Sequence, residues 1–292
     1  MKIAARAKAE RSDLGAKMFQ RPAHIDTLVS IIAVVNLKGG VGKSTIAVNL
    51  ACELAGRQSV VVVDADSQAT ATDWARRGDL PARVETLPLD AESRVGPWVE
   101  RVLTLQTDHV VIDCPPHIGP ATLAATGIAD MVLVPVTPSG ADLVVTDSAL
   151  ALVHDAQAAR KDGGPLCLLV PSKVDRRTAV GRELAAALER FDEPVGPEIG
   201  QRAALVDAFA VGAWIGQYAP HNAARGQFRD LATAVKRRWL MELRRLRSGG
   251  DDQRQKNTGA GVEFKVARAP EAPALRLRAI RTATPFRRTF PN

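Results

Sequence analysis

Aromatic residues are scarce in this chain, with four Trp, one Tyr and seven Phe among 292 residues. They are scattered, which argues against the stacking platforms used to hold single strands or RNA. Cysteine is rarer still. Cys52, Cys114 and Cys167 lie far apart, and neither they nor the five histidines show metal-ligand spacing. An odd, dispersed set excludes a disulfide scaffold and fits a reducing compartment. No run approaches about 18 uninterrupted apolar residues, so no membrane-spanning helix is expected. Met1 to Thr27 is basic but has no apolar core, so it does not read as a secretory signal. No internal repeat is visible. Apolar and charged contents of 46% and 24% are ordinary globular usage and exclude a wholly disordered chain or a collagen.

Charge is unevenly placed. Residues 1–28 carry six basic and three acidic side chains, 236–247 six and one, and 248–292 nine and four. These segments exceed the net charge of +7, so the stretch 29–235 is acidic overall. Basic flanks around a mildly acidic body point to a polyanion, with DNA ahead of an anionic membrane.

From Val29 the sequence alternates strand-like runs with helical patterns. Val29–Asn36, Ser59–Val63, Val84–Leu87, His109–Ile112, Met131–Val136 and Leu166–Val170 read as strands. Val29–Asn36 and Ser59–Val63 are apolar and rich in β-branched residues, as buried parallel strands should be. Between and after them, Ser44–Ala55, Ala69–Arg77, Gly96–Gln106, Ala141–Arg160, Thr178–Phe191 and Arg202–Val211 read as helices. Asn222–Arg247 reads as one long helix, with Leu231, Val235, Trp239, Leu243 and Leu246 at spacings of three and four. This alternation predicts a doubly wound α/β domain with a mostly parallel sheet over 29–247. The flanks, 1–28 and 248–292, read as a loosely attached basic extension and a largely disordered tail opening with a flexible linker.

Chemistry concentrates at the ends of three strands. Lys38-Gly39-Gly40-Val41-Gly42-Lys43-Ser44-Thr45 lies between a strand and a helix. Glycines let backbone N–H groups converge on an anion, and the following helix N-terminus favours negative charge. Lys43 suits the β- and γ-phosphates, the Ser44 hydroxyl a Mg²⁺ ion, and Thr45 the α-phosphate. The usual G-x-x-x-x-G-K-[ST] pattern has Leu37 at its first position here, and an extra lysine, Lys38, opens the loop. Asp64-Ala65-Asp66-Ser67-Gln68 ends the second strand, and Val110-Val111-Ile112-Asp113-Cys114-Pro115-Pro116 carries a further strand-end carboxylate. Acidic side chains at strand C-termini face the ligand crevice of an open α/β sheet. A carboxylate at the end of an apolar strand suits Mg²⁺ held through water.

The K-G-G-x-G-K-[ST] loop resembles the deviant Walker A motif of the ParA/MinD family of P-loop ATPases. The Asp64–Gln68 segment is similar to that family's D-x-D-P-Q switch I, with Ser67 in the proline position, and Asp113–Pro116 to its D-x-P-P switch II. The resemblance covers about residues 29–240 and is nearest to ParA-type, ParF-like partition ATPases. It implies ATP and Mg²⁺ as cofactors and a homodimer in the ATP-bound state. By resemblance, Lys38 reaches across that dimer, Asp66 orients the attacking water, and Asp64 and Asp113 support the metal with Ser44 and Asp66. Ser172, at the end of the sixth strand, falls where relatives contact adenine. The implied activity is ATP hydrolysis coupled to non-specific DNA binding, stimulated by a ParB-like centromere-binding protein, in the nucleoid-associated cytoplasm. Lys236, Arg237, Arg238, Arg244 and Arg245 on the last helix are the expected DNA contacts, since phosphates need cations but no base code. The alternatives are a MinD-like membrane-associated positioning ATPase, another cargo-positioning role, or conjugative transfer. The basic helix is followed by a long tail rather than ending the chain as a membrane anchor would, so no stable membrane association is expected.

Overall fold

The computed structural model describes residues 30–56 and 58–257, with backbone only at 140, 141 and 243–257. The expectations for 1–28 and for the tail beyond Asn257 lie outside the described residues. One compact unit takes in the chain to Arg244, and a second begins at Arg245.

Seven strands form one sheet: β1 Ser30–Val34, β2 Val60–Asp64, β3 Arg83–Thr86, β4 His109–Asp113, β5 Met131–Val136, β6 Leu166–Val174 and β7 Ile199–Gly200. Their order is β3-β2-β4-β1-β5-β6-β7, and every pairing is parallel. The helices are α1 Lys43–Leu54, α2 Thr70–Arg77, α3 Val95–Leu103, α4 Pro120–Ile128, α5 Gly140–Ala159, α6 Ala179–Leu188, α7 Ala203–Ala210, α8 Ile215–Tyr218 and α9 Ala223–Asn257. Parallel neighbours need crossover connections, and these helices supply them and cover both sheet faces.

The strand pattern explains the two cores. In β1 and the residue after it, Ile31, Ala33 and Val35 face one side with Trp98, Val102, Ala124, Val153 and Leu188. Ile32 and Val34 face the other with Ile46, Leu50, Trp74, Ile215, Phe228 and Leu231. Both faces of the central strands are buried, so β1, β2 and β5 are apolar without alternation, whereas the edge strand β3 is polar and partly exposed.

Five elements differ from the sequence expectations, two of them the two-residue strand β7 and the four-residue helix α8, which are too short to show a period. Helix α4 was not foreseen. Its small residues are buried nearly all round, Ala121, Ala124 and Ala125 among them, so it carries no polar stripe to betray its period. Strand β6 runs on to Val174, through an irregularity at Ser172/Val174 where Lys173 adopts φ 52°. Helix α9 continues to Asn257 through the stretch read as a linker. Residues 251–257 include no proline or β-branched side chain to stop it, but no apolar repeat that would announce it either.

Candidate functional site

The loop after β1 occupies the sheet's C-terminal edge. Asn36 anchors its start, donating through Nδ2 to the Pro135 carbonyl at 2.6 Å and accepting the Lys38 N–H at 2.9 Å. Gly40 and Gly42 take φ 77° and 97°, left-handed values at which a side chain is strained. A Cβ on Gly42 would also lie 2.9 Å from Ser172 Oγ. Gly39 has open space beyond its Cα. Val41 is buried and acts as the loop's apolar foot. Ser44 and Thr45 stand in the first turn of α1, both half-buried.

Lys43 is buried, and its ammonium donates to the Lys38 carbonyl at 2.9 Å. Burial lowers its pKa, against the opposing attraction of Asp113, Cys114 and Asp66. Lys38 leaves the loop instead. Its ammonium pairs with Asp142 in the first turn of α5.

Asp113 and Asp64 are register partners at the ends of β4 and β2. Asp113 is buried, and neither carboxylate oxygen has a hydrogen-bond partner of good geometry among the described residues. Burial pushes its pKa up to about 7, with Asp64 and Asp66 adding to the shift and Ser44 and Lys43 opposing it. Asp64, placed beside the ion by the sequence reading, is committed internally. Its Oδ2 accepts the Thr72 N–H at 2.7 Å and the Thr72 hydroxyl at 2.8 Å, and its Oδ1 accepts the Asp66 N–H at 3.3 Å. Burial raises its pKa despite those bonds. Asp64 therefore shapes the segment that carries Asp66. Asp66 itself is half-buried and accepts the Gln68 N–H at 3.0 Å.

A pocket of about 380 Å³ opens beside the loop, lined by Lys38, Gly39, Gly40 and Val41 and by the ends of β5 and β6 and the residue after β7. Lys173, Asp175, Thr178 and Gln201 contribute to its far wall. Lys173 and Asp175 follow Ser172 in the sequence, and none of the four stands in the phosphate loop or the acidic ends of β2 and β4. Ser172 lies beneath the loop rather than on the pocket wall. It is buried, and its hydroxyl donates to the Val41 carbonyl at 2.7 Å.

The site suits a Mg²⁺–nucleoside triphosphate. Left-handed glycines, a buried lysine and a helix N-terminus converge where phosphates would sit. The unpartnered Asp113 oxygens, with the Ser44 hydroxyl nearby, are the donor set a hydrated Mg²⁺ takes. Among the described residues no three Asp, Glu, His or Cys side chains form a self-sufficient cage. An ion here would therefore lean on water and substrate phosphates, as Mg²⁺ usually does.

The expected DNA-contact residues lie on α9. Lys236 and Arg237 are exposed, whereas Arg238 is half-buried, with a buried Nε that has no partner among the described residues. The side chains of Arg244 and Arg245 lie outside the described residues. Lys236 is near enough to His109, the first residue of β4, to help burial lower the imidazole pKa. It therefore sits toward the strand N-termini, at the sheet edge opposite the nucleotide loop. Among the described residues, no helix is long and apolar enough to cross a membrane.

Comparison with known proteins agrees with this geometry. A carboxysome distribution protein A from Halothiobacillus neapolitanus is 34% identical over 56% of this chain and 76% of its own length. One from Gloeobacter kilaueensis is 30% identical over 72% and 95%. The chromosome-partitioning ATPase Soj of Thermus thermophilus is 31% identical over 70% and 94%. In fold, the chain resembles nucleotide-free McdA from Cyanothece (TM-score 0.59, 18% identity, 71% of this chain and 99% of that one). It resembles MinD with Mg-ADP from Pyrococcus horikoshii equally well (TM-score 0.59, 18% identity, 73% and 98%). The profile of the CobQ/CobB/MinD/ParA nucleotide binding domain matches residues 32–213, and with the deviant loop and its two acidic strand ends in place, the chain belongs to the ParA/MinD family of nucleotide-binding ATPase domains.

Proposed function

We propose that this protein is a ParA-type positioning ATPase, in which ATP joins two copies into a dimer that binds DNA without sequence preference. A ParB-like DNA-binding partner stimulates hydrolysis and so releases the dimer. The observation that carries this reading is that one site holds both an extra loop lysine, Lys38, and a buried Asp113 with no hydrogen-bond partner of good geometry among the described residues, beside Lys43 and Ser44. In this scheme Lys43 neutralises the β- and γ-phosphates, and the backbone N–H groups of Gly39–Gly42 cradle them. Ser44 and Asp113 would hold Mg²⁺, which when bound neutralises charge on the phosphate oxygens. Asp66 orients or deprotonates the attacking water, and Asp64 holds the segment that presents it. Ser172 fixes the loop through Val41 rather than reading the base. Lys38 serves the nucleotide of the second copy. Lys236 and Arg237, with Arg244 and Arg245, supply phosphate contacts. The protein would then reside in the cytoplasm on the nucleoid.

ATP turnover of the full chain, measured alone, with an unrelated duplex and with DNA plus candidate partner, tests the reading. Turnover raised by the combination is expected. Binding of ATP with neither dimerisation nor turnover under any of these conditions would refute it. Relatives named for carboxysome distribution favour a second version, in which the cargo is a protein assembly and DNA serves only as the track.

A further inference from the structure

Lys38 has a half-exposed stem, at 41%, but its ammonium ends on a carboxylate that is 1% exposed, Asp142 Oδ1. The other oxygen, Oδ2, accepts the Thr137 hydroxyl. Asp142 cannot follow the lysine elsewhere. Its N–H is bonded to the Ser139 carbonyl at 3.0 Å, and its own carbonyl accepts the Thr146 hydroxyl at 2.8 Å. The Lys38 backbone is equally fixed, through the bond from its N–H to Asn36 Oδ1 at 2.9 Å. Between two anchored backbones, only the lysine stem is free to swing. Lys38 and Thr137 both line the pocket beside the loop, so the ion pair borders the place where a nucleotide would enter.

We propose that Asp142 is a latch: a positioning residue that holds Lys38 within its own subunit and sets how much ATP is needed before two copies join. The proposal rests on the reading above that Lys38 serves the nucleotide of a second copy. A buried carboxylate that loses its cation keeps only a neutral hydroxyl for company, which is unfavourable. A monomer that merely binds nucleotide has no need to open the latch. A dimer has to open two, one on each side, and the γ-phosphates must compensate for both. Asp142 touches neither substrate nor metal in this scheme and acts only through Lys38.

Two measurements on the full chain test the latch. The first is a brief pulse of an amine-acylating reagent without nucleotide, read by peptide mass mapping. Lys173 is the internal reference, because it lines the same pocket, is exposed, and its ammonium has no ion pair or hydrogen bond among the described residues. Lys38 should react severalfold more slowly than Lys173 in the parent and at a similar rate in Asp142→Asn. The second is an ATP titration followed by light scattering. Asp142→Asn should reach half-dimerisation at about tenfold less ATP, the factor that roughly 1.4 kcal/mol supplies. ADP binding reports that the variant is folded. Equal labelling of Lys38 and Lys173 in the parent overturns the latch and depends on no variant folding. A dimerising parent whose ATP threshold is matched by folded Asp142→Asn overturns it too. A parent with Lys38 protected that binds ATP yet never dimerises supports the ion pair and refutes the dimer reading instead.

Discussion

Replacing Asp113 with asparagine should make the nucleotide-free protein more stable while weakening its response to Mg²⁺. The carboxylate is buried at the end of β4 with no partner of good geometry on either oxygen among the described residues. Its pKa is pushed from 3.8 up to about 7, chiefly by burial. At 1.36 kcal/mol per unit, that displacement is about 4 kcal/mol. The sign follows from proton counting. Between about pH 4 and 7 the folded state binds a proton that the unfolded chain has released. The group's favourable contribution is therefore whole below pH 4 and is lost as pH rises through 7. An amide carries no charge, so the substitution should relieve the folded state most at pH 8. Some of that relief is cancelled, because Lys43 loses an attractive neighbour. A net gain of about 1–3 kcal/mol is expected, or several degrees in Tm for a domain of this size. Scanning calorimetry in EDTA at pH 8 and at pH 5 measures it, and the advantage of Asp113→Asn should shrink at the lower pH. With Mg²⁺ and ADP the parent should gain stability by mass action, and Asp113→Asn should gain much less. A variant that melts at or below the parent at pH 8 without Mg²⁺, or that keeps the parent's full Mg²⁺-dependent gain, would refute the reasoning.

Lys43→Ala should weaken ATP binding by at least about 2 kcal/mol, near thirtyfold, since the phosphates no longer meet a buried cation; calorimetric titration giving an unchanged affinity would remove the loop from the site. Asp66→Ala should leave the phosphate cradle intact and trap an ATP-bound dimer, visible as a persistent early peak in size-exclusion chromatography. A variant that stays monomeric and still hydrolyses ATP contradicts the assigned role. Lys236→Glu combined with Arg237→Glu should weaken binding to unrelated duplexes by similar factors and flatten the salt dependence by about 0.9 for each phosphate no longer neutralised. Weakening that differs between sequences, or none at all, would place the DNA surface elsewhere.

Much of this site was legible because its signals are local. Lys38–Thr45 is one uninterrupted segment between a strand and a helix, and the acidic groups end apolar runs. What the sequence hid lies in contacts between distant segments. Ser172 and Val41 are 131 positions apart, and Lys38 and Asp142 are 104. No periodicity relates such pairs, and only the strand order β1-β5-β6 brings the first loop against the ends of the other two. Asp64 shows the converse. Its place at a strand end reads as a metal site, but Thr72, in the first turn of α2, engages its carboxylate. Residue type and position suggest what a side chain is able to do, whereas the partners that orient it are set by the fold.

The placement of the two charged regions constrains how nucleotide could control DNA binding. The phosphate loop follows β1 at the C-terminal edge of a parallel sheet, while Lys236 lies near His109 at the other edge. A γ-phosphate cannot touch the basic groups of α9 around Lys236 directly across that span. Control through the number of such surfaces in one particle needs no structural signal to cross the sheet. One basic helix held by phosphate contacts alone binds in the range of about 10⁻⁴–10⁻⁶ M at physiological salt. Joining two makes the second contact intramolecular, and avidity can then exceed either single affinity by about 10²–10⁴. Hydrolysis that separates the copies removes that factor in one step. In this scheme the nucleotide site needs only to govern whether Lys38 stays home on Asp142 or leaves for a second subunit, and the DNA affinity follows from the count of helices presented.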